Sequence, residues 1–271
     1  MFIILKPFLF NPVLLLIFKK NIMKKLFLLI FAGALLANSN HISGQESEKS
    51  STTLSVDITS GFNWRGLTLN SAPVVQPSFT IAPGKFSIGA WTSVPFTPDE
   101  YQEVDLFVSY QFTPSLSLTL TDYFGYSNGS WWSPPSFFET KREETAHALD
   151  LQLAYDGSGG FPIKAMVSTI IAGADLKYEG NFVQTSKNNF STYIELGYGS
   201  TSKDIDWELF AGGVIMSSDF YGIDRASVIN LGLGLSKSFE ITPTYSLPLS
   251  LRFSVNPVVE AVFLSAAITL F

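Results

Sequence analysis

The residues able to do chemistry in this sequence fall on alternate positions. Asp57, Glu103, Asp105, Asp150, Glu195, Asp206 and Glu208 share the polar parity of period-2 segments, joined by Asn63, Arg65, Lys164 and Arg252. Every second residue of a strand projects to the same face, so these side chains line one surface. If that surface encloses a narrow passage, its net negative charge favours cations or neutral solutes over anions. The same set could instead form a network of ion pairs that fills a barrel and conducts little. Both readings stay open at this level.

Covalent chemistry finds less support. There is no cysteine. Beyond residue 44 the one histidine is His147, and two residues on stands Leu149 rather than a nucleophile, so the side chain reads as a polar residue at a strand–loop border. No paired-histidine metal motif, phosphate loop or G-x-S-x-G occurs, and "GLGLS" at 232–236 is strand alternation. No enzyme activity, metal or cofactor is expected. A further aromatic group, Trp131, Trp132, Phe137 and Phe138 in "SWWSPPSFF", could stack on sugar rings or fold into a pore mouth. It fits better the aromatic girdle that membrane barrels carry at their interfaces.

The elements that must position these residues are strands. In "EVDLFVSYQF" Val104, Leu106, Val108, Tyr110 and Phe112 take one parity, while Glu103, Asp105, Ser109 and Gln111 take the other, with Phe107 the exception. About twelve such segments of about ten residues are present, the length that crosses a bilayer when tilted. They span 52–65, 73–82, 85–95, 101–113, 115–127, 145–156, 161–173, 189–201, 205–217, 225–238, 246–255 and 259–271. Short turns ("APG", "TPS", "DGSGG", "TSKD", "EITPTY") alternate with mostly longer links, the arrangement of short periplasmic turns and long outer loops. The expected fold is all-β, a transmembrane antiparallel β-barrel of about twelve strands in the outer membrane of a Gram-negative bacterium. A soluble sandwich would alternate too, but its outer faces should be rich in Lys, Glu and Arg rather than Gly, Ser, Thr and Asn.

Composition agrees. The 271-residue chain is 46% hydrophobic and only 15% charged. From Met23, "MKKLFLLIFAGALLANSNHISGQES" has the parts of a secretory signal, with Gly44 the working cleavage point. Residues 1–44 are therefore read as an extension plus signal peptide, with Met23 the expected start, and residues 45–271 as the barrel. Residues 1–44 hold five lysines and no acid, so their removal takes the formal charge from -6 to -11. Such an acidic chain is unsuited to nucleic acid, whose binding needs clustered Lys and Arg. The partners expected are outer-membrane lipid and small solutes or ions, with oligomeric state open.

The segments "GFNWRGLTLNSAPVVQPSFTI", "GAWTSVPF", "EVDLFVSYQF", "AHALDLQLAY" and "VNPVVEAVF" together resemble the TorF-type porins of bacterial outer membranes. The resemblance implies a single barrel and passive permeation of small solutes. A non-conducting structural or interaction barrel is the alternative. The terminal Phe271 resembles the final aromatic by which the barrel-assembly machinery reads such chains. In the first strand, parity predicts Phe62 and Trp64 toward lipid, with Trp64 at the outer interface. Asn63 and Arg65 then point into the lumen, and Gly66 turns the chain into the first loop. Asp122 shares the parity of Leu116, Leu118 and Leu120, so it either meets headgroups at the rim or is turned inward by a bulge.

Overall fold

The structure is a computed structural model that describes residues 50–97, 100–127, 136–179 and 183–271. Residues 1–49, which hold the expected signal peptide, and the pair Trp131 and Trp132 lie outside the described residues.

Alternation becomes a closed sheet. The strands are β1 (Ser50–Thr59), β2 (Phe62–Trp64), β3 (Leu67–Asn70), β4 (Val74–Pro83), β5 (Phe86–Pro95), β6 (Tyr101–Thr113), β7 (Leu116–Ser127) and β8 (His147–Tyr155). They continue as β9 (Ile163–Gly173), β10 (Leu176–Glu179), β11 (Val183–Asn188), β12 (Thr192–Ser202), β13 (Ile205–Val214), β14 (Ser227–Thr242), β15 (Tyr245–Asn256) and β16 (Ala261–Thr269). Two pairs, β2–β3 and β10–β11, form separate hairpins, and the others close into a barrel. Each barrel strand is antiparallel to its neighbours, and the barrel closes where β1 meets β16 with Asp57 opposite Thr269. The closure runs on past β16: the Leu270 N–H donates to the Val56 carbonyl at 2.9 Å, and the Val56 N–H to Phe271 at 3.1 Å.

Closure leaves no edge, the condition under which strands survive in hydrocarbon, because every ladder group finds a partner. The outward parity carries the oily residues. Leu106 pairs with Asp122, Val108 with Leu120 and Tyr110 with Leu118 on the β6–β7 wall. Apolar side chains such as Val262 (62% exposed) and Leu264 (70%) stand uncovered. A soluble protein buries such residues in a shared core; here they form the face toward lipid.

Turn chemistry fixes which end is which. Gly84 takes φ 64° between β4 and β5, and Lys203 and Asp204 take φ 49° and 62° between β12 and β13, the positive values that tight hairpins need. These short turns share an end with the start of β1 and the end of β16. The longer links 60–73, 174–191 and 215–226 leave the other end.

The largest departure from expectation is in the first strand. It ends at Thr59, not 65, where the Thr59 hydroxyl donates to the Gly61 carbonyl at 2.6 Å as the chain turns. Residues 62–70 then double back as β2–β3, with Trp64 opposite Leu67 and a two-residue tip of Arg65 (φ 47°) and Gly66 (φ 81°). Alternation continues through the hairpin, so parity alone could not mark the break.

Candidate functional site: the lumen and its hairpin

The β2–β3 hairpin lies inside the barrel. Its side chains meet inward-facing groups of strands on opposite walls, which is possible only from the lumen. Phe62 packs on Trp91 of β5 at 5.3 Å between ring centroids, and Trp64 meets Tyr123 of β7 at 5.5 Å. Across the barrel, Asn63 donates to Ser265 of β16 at 2.6 Å, and the Gly66 carbonyl accepts from Asn256 of β15 at 2.9 Å. A Cβ on Gly66 would come within 1.9 Å of the Ile229 carbonyl of β14, so only glycine permits this approach. Phe62 and Trp64 therefore face the lumen, correcting the expected lipid-side placement. The chain had already left the wall when it reached them.

Arg65, at the hairpin tip, is the centre of a buried network. Its Nη2 donates to Asp150 Oδ2 at 2.8 Å and to Gln152 at 3.2 Å, and its Nη1 to the Tyr221 hydroxyl at 2.9 Å. Asp150 also accepts from Tyr123 at 3.0 Å and from Ser168. The two charged side chains are only 7% and 1% exposed. Desolvation of that depth is sustained because the two charged groups are paired with each other. The guanidinium also lies 4.4 Å from the Trp64 ring centre and 5.3 Å from that of Tyr193. Trp64 stacks on Tyr221 at 5.7 Å and 5°. Tyr221 belongs to the 215–226 link, and burial pushes its hydroxyl up to about 12. With Tyr193, Val214, Ile223 and Ile229 these rings form an apolar cluster in the half of the lumen next to the longer links.

Below the hairpin the remaining charges are wetter. Lys164 pairs with Glu208 at 2.8 Å, with side-chain exposures of 50% and 28%. Arg252 lies 3.8 Å from Glu195 and 3.6 Å over the Phe210 ring. Glu195 also accepts from Tyr193 at 2.5 Å and from Asn230 at 2.8 Å. A cavity of about 350 Å³ opens here, lined by Gln111, Ser117, Tyr155, Lys164, Glu195 and Glu208 among others. Asp57 accepts from Thr269 at 2.6 Å, and Asp206, exposed by the β12–β13 turn, from Thr201.

Glu103 and Asp105, side by side on the inner face of β6, have no cation within 4 Å among the described residues. The charge reading is thereby sharpened: Arg65, Lys164 and Arg252 each hold one acid, and the acidity without a counter-charge concentrates on β6 and at Asp57 and Asp206.

Sequence reasoning missed the tyrosines. Tyr101 donates to Glu103 at 2.5 Å as Tyr193 does to Glu195, each pair two apart on one strand face. Each ring lies over a glycine of the next strand: a Cβ on Gly125 would fall 1.8 Å from the Tyr101 hydroxyl, and one on Gly212 2.0 Å from that of Tyr193. The repeated Tyr-x-Glu was a visible signal, but its glycine partner needs the register. Phe107, the exception to alternation, is settled likewise, its ring lying 2.4 Å from where a Gly89 Cβ would be.

Asp122 keeps its outward parity without a bulge and pairs with His147 at 2.9 Å on the outer wall. The other His147 nitrogen meets the Phe137 carbonyl at 2.7 Å. Both ring nitrogens are thus engaged by protein oxygens, which fixes the ring against the outer wall. Phe137 packs on Phe124 at 5.0 Å and on His147 at 5.0 Å, and Phe138 on Phe137. This part of the loop covers the outside of the barrel rather than its mouth.

No protein-family model matches the chain, and no curated protein does. Among solved structures it is similar to Wzi of Escherichia coli, an outer-membrane protein involved in group 1 capsule assembly and a carbohydrate-binding β-barrel. That likeness has 12% identity and a TM-score of 0.30, covering 80% of this chain and 56% of that one, so this chain spans little over half that protein's length. It is also similar to outer membrane phospholipase A of Escherichia coli, at 12% identity and a TM-score of 0.32, covering 88% of this chain and 95% of that one. The chain's own strand pairing defines its class: a closed, twelve-stranded transmembrane antiparallel β-barrel. It is a membrane barrel protein with an inserted hairpin in its lumen.

Proposed function

We propose that this barrel is an outer-membrane diffusion channel for small solutes, closed at its outer end by the β2–β3 hairpin and selective for cations or neutral solutes over anions. The observation that carries this reading is the contrast along the lumen. The outer half is packed by the hairpin, while below it the wall is lined by hydrated charges around a cavity of about 350 Å³. A barrel built only as a scaffold has no need of half-exposed lysine, arginine and glutamate on its inner face. The closing element is a two-strand hairpin outside the barrel ladder, whose charged anchor is the Arg65–Asp150 pair. The outer-membrane location and the kinship with TorF-type porins belong to the same proposal.

The runner-up, a non-conducting barrel, draws on the stacking of Trp64 with Tyr221 and the apolar cluster around it. Planar-bilayer recordings of refolded protein separate the two. A channel should show rare openings in the wild type, frequent ones in Arg65→Ala, and reversal potentials in a KCl gradient that favour K⁺. Silence of both proteins across salts and voltages would leave the non-conducting barrel.

A further inference from the structure

A second cavity, of about 340 Å³, lies against the β6 wall beside the hairpin. Its lining joins two groups of side chain. Glu103 and Asp105 supply carboxyls; Phe62, Trp64, Trp91, Phe107 and Tyr123 supply rings. The carboxyls are 4% and 7% exposed. Glu103 has the Tyr101 hydroxyl at 2.5 Å and shares a hydrogen bond with Asp105, whose Oδ1 is nonetheless buried with no hydrogen-bond partner. A carboxylate oxygen in that state is costly unless something fills the space before it, whereas the oxygens of Asp150, buried as deeply, both have partners.

We infer that the cavity is a binding site for a small organic cation, an alkylammonium group held between the aromatic rings with Asp105 and Glu103 as its counter-charge. The donor set argues for this class over a metal ion. Among the described residues no three His, Cys, Asp or Glu side chains converge as metal ligands, and the rest of the wall is mainly aromatic, with the hydroxyls of Thr119 and Thr121. Rings with a negative face attract a weakly hydrated cation and do little for a strongly hydrated one. The volume suits a molecule of a few heavy atoms and lies within the usual range of small-molecule pockets. An anion is opposed by both carboxyls, and a neutral molecule would gain nothing from the carboxyl charge or from the negative faces of the rings. The inference stands whether or not the barrel conducts, since it concerns binding within the lumen.

The test uses refolded full-length protein in detergent micelles, with choline as the probe and 3,3-dimethyl-1-butanol, its neutral isostere, as the control. Calorimetric titration should give saturable choline binding at one site, tryptophan fluorescence should change over the same range, and the isostere should bind at least roughly tenfold more weakly. Asp105→Asn should weaken choline roughly tenfold or more. If that variant fails to fold, as judged by heat-modifiable migration, Trp91→Leu carries the same expectation. No saturable choline binding, equal binding of the isostere, or full affinity in a folded variant would each overturn the site. Conductance plays no part in the readout, so a silent bilayer and an empty pocket are separate failures.

Discussion

Two carboxylates on different walls of one lumen have opposite surroundings. Asp150 on β8, 1% exposed, is held by Arg65, Tyr123 and Ser168. Asp105 on β6, 7% exposed, meets Glu103 but keeps one oxygen with no partner, and among the described residues no cation lies within 4 Å of it. Burial is nearly equal, so burial does not separate their roles; satisfaction of their hydrogen bonds does. The hairpin brings one guanidinium into the lumen, and its tip reaches β8, not β6. The first acid holds the hairpin in place, and the second is left for a ligand.

The strongest way to break this contrast is Arg65→Ala. It strands Asp150 as a buried charge without its partner, a loss of about 3–5 kcal/mol. The heat-modification midpoint of the barrel should fall, and Asp150→Asn in the same chain should recover much of that fall. An unchanged midpoint would remove the structural role assigned to the pair. Asp105→Asn should act in the opposite direction and less strongly, adding about 1 kcal/mol of stability and so raising the midpoint, because a poorly satisfied carboxyl is replaced by an amide. A fall comparable with that of Arg65→Ala would mean that Asp105 is structural too. The smallest effect is expected at Lys164, half exposed beside Glu208. Lys164→Ala should shift stability by less than about 0.5 kcal/mol, while increasing cation preference by freeing Glu208. A large loss of stability there would show that the lower tier is as rigid as the upper.

Much of the wall was legible in the sequence. Segments expected at 85–95, 101–113 and 115–127 are found as Phe86–Pro95, Tyr101–Thr113 and Leu116–Ser127. The two faces of a membrane strand meet different solvents, and that difference is written residue by residue. The hairpin was not legible, because its strands alternate as a wall strand does and only the positive φ at Arg65 and Gly66 marks its tip. Arg65 is in the lumen, as its parity indicates, although it arrives there on the hairpin and not on the wall. Its partner could not be read, since Asp150 lies 85 residues away and pairing across a lumen depends on where a loop folds. The outer cover on His147 escaped for the same reason: Phe137 is an aromatic in a loop until the loop's path is known.

The sequence by itself determined the barrel wall: that its segments are strands, which face is oily, which acids point inward, and that short turns alternate with longer links. Period, turn residues and composition are local properties, and a closed membrane sheet follows from them because no other arrangement pairs every backbone group in hydrocarbon. Only the tertiary structure decided what occupies the lumen. The hairpin's entry, the choice of Asp150 over Asp105 as the partner of Arg65, and the aromatic cavity left beside β6 all come from contacts between segments far apart in the chain, and no local pattern encodes such contacts.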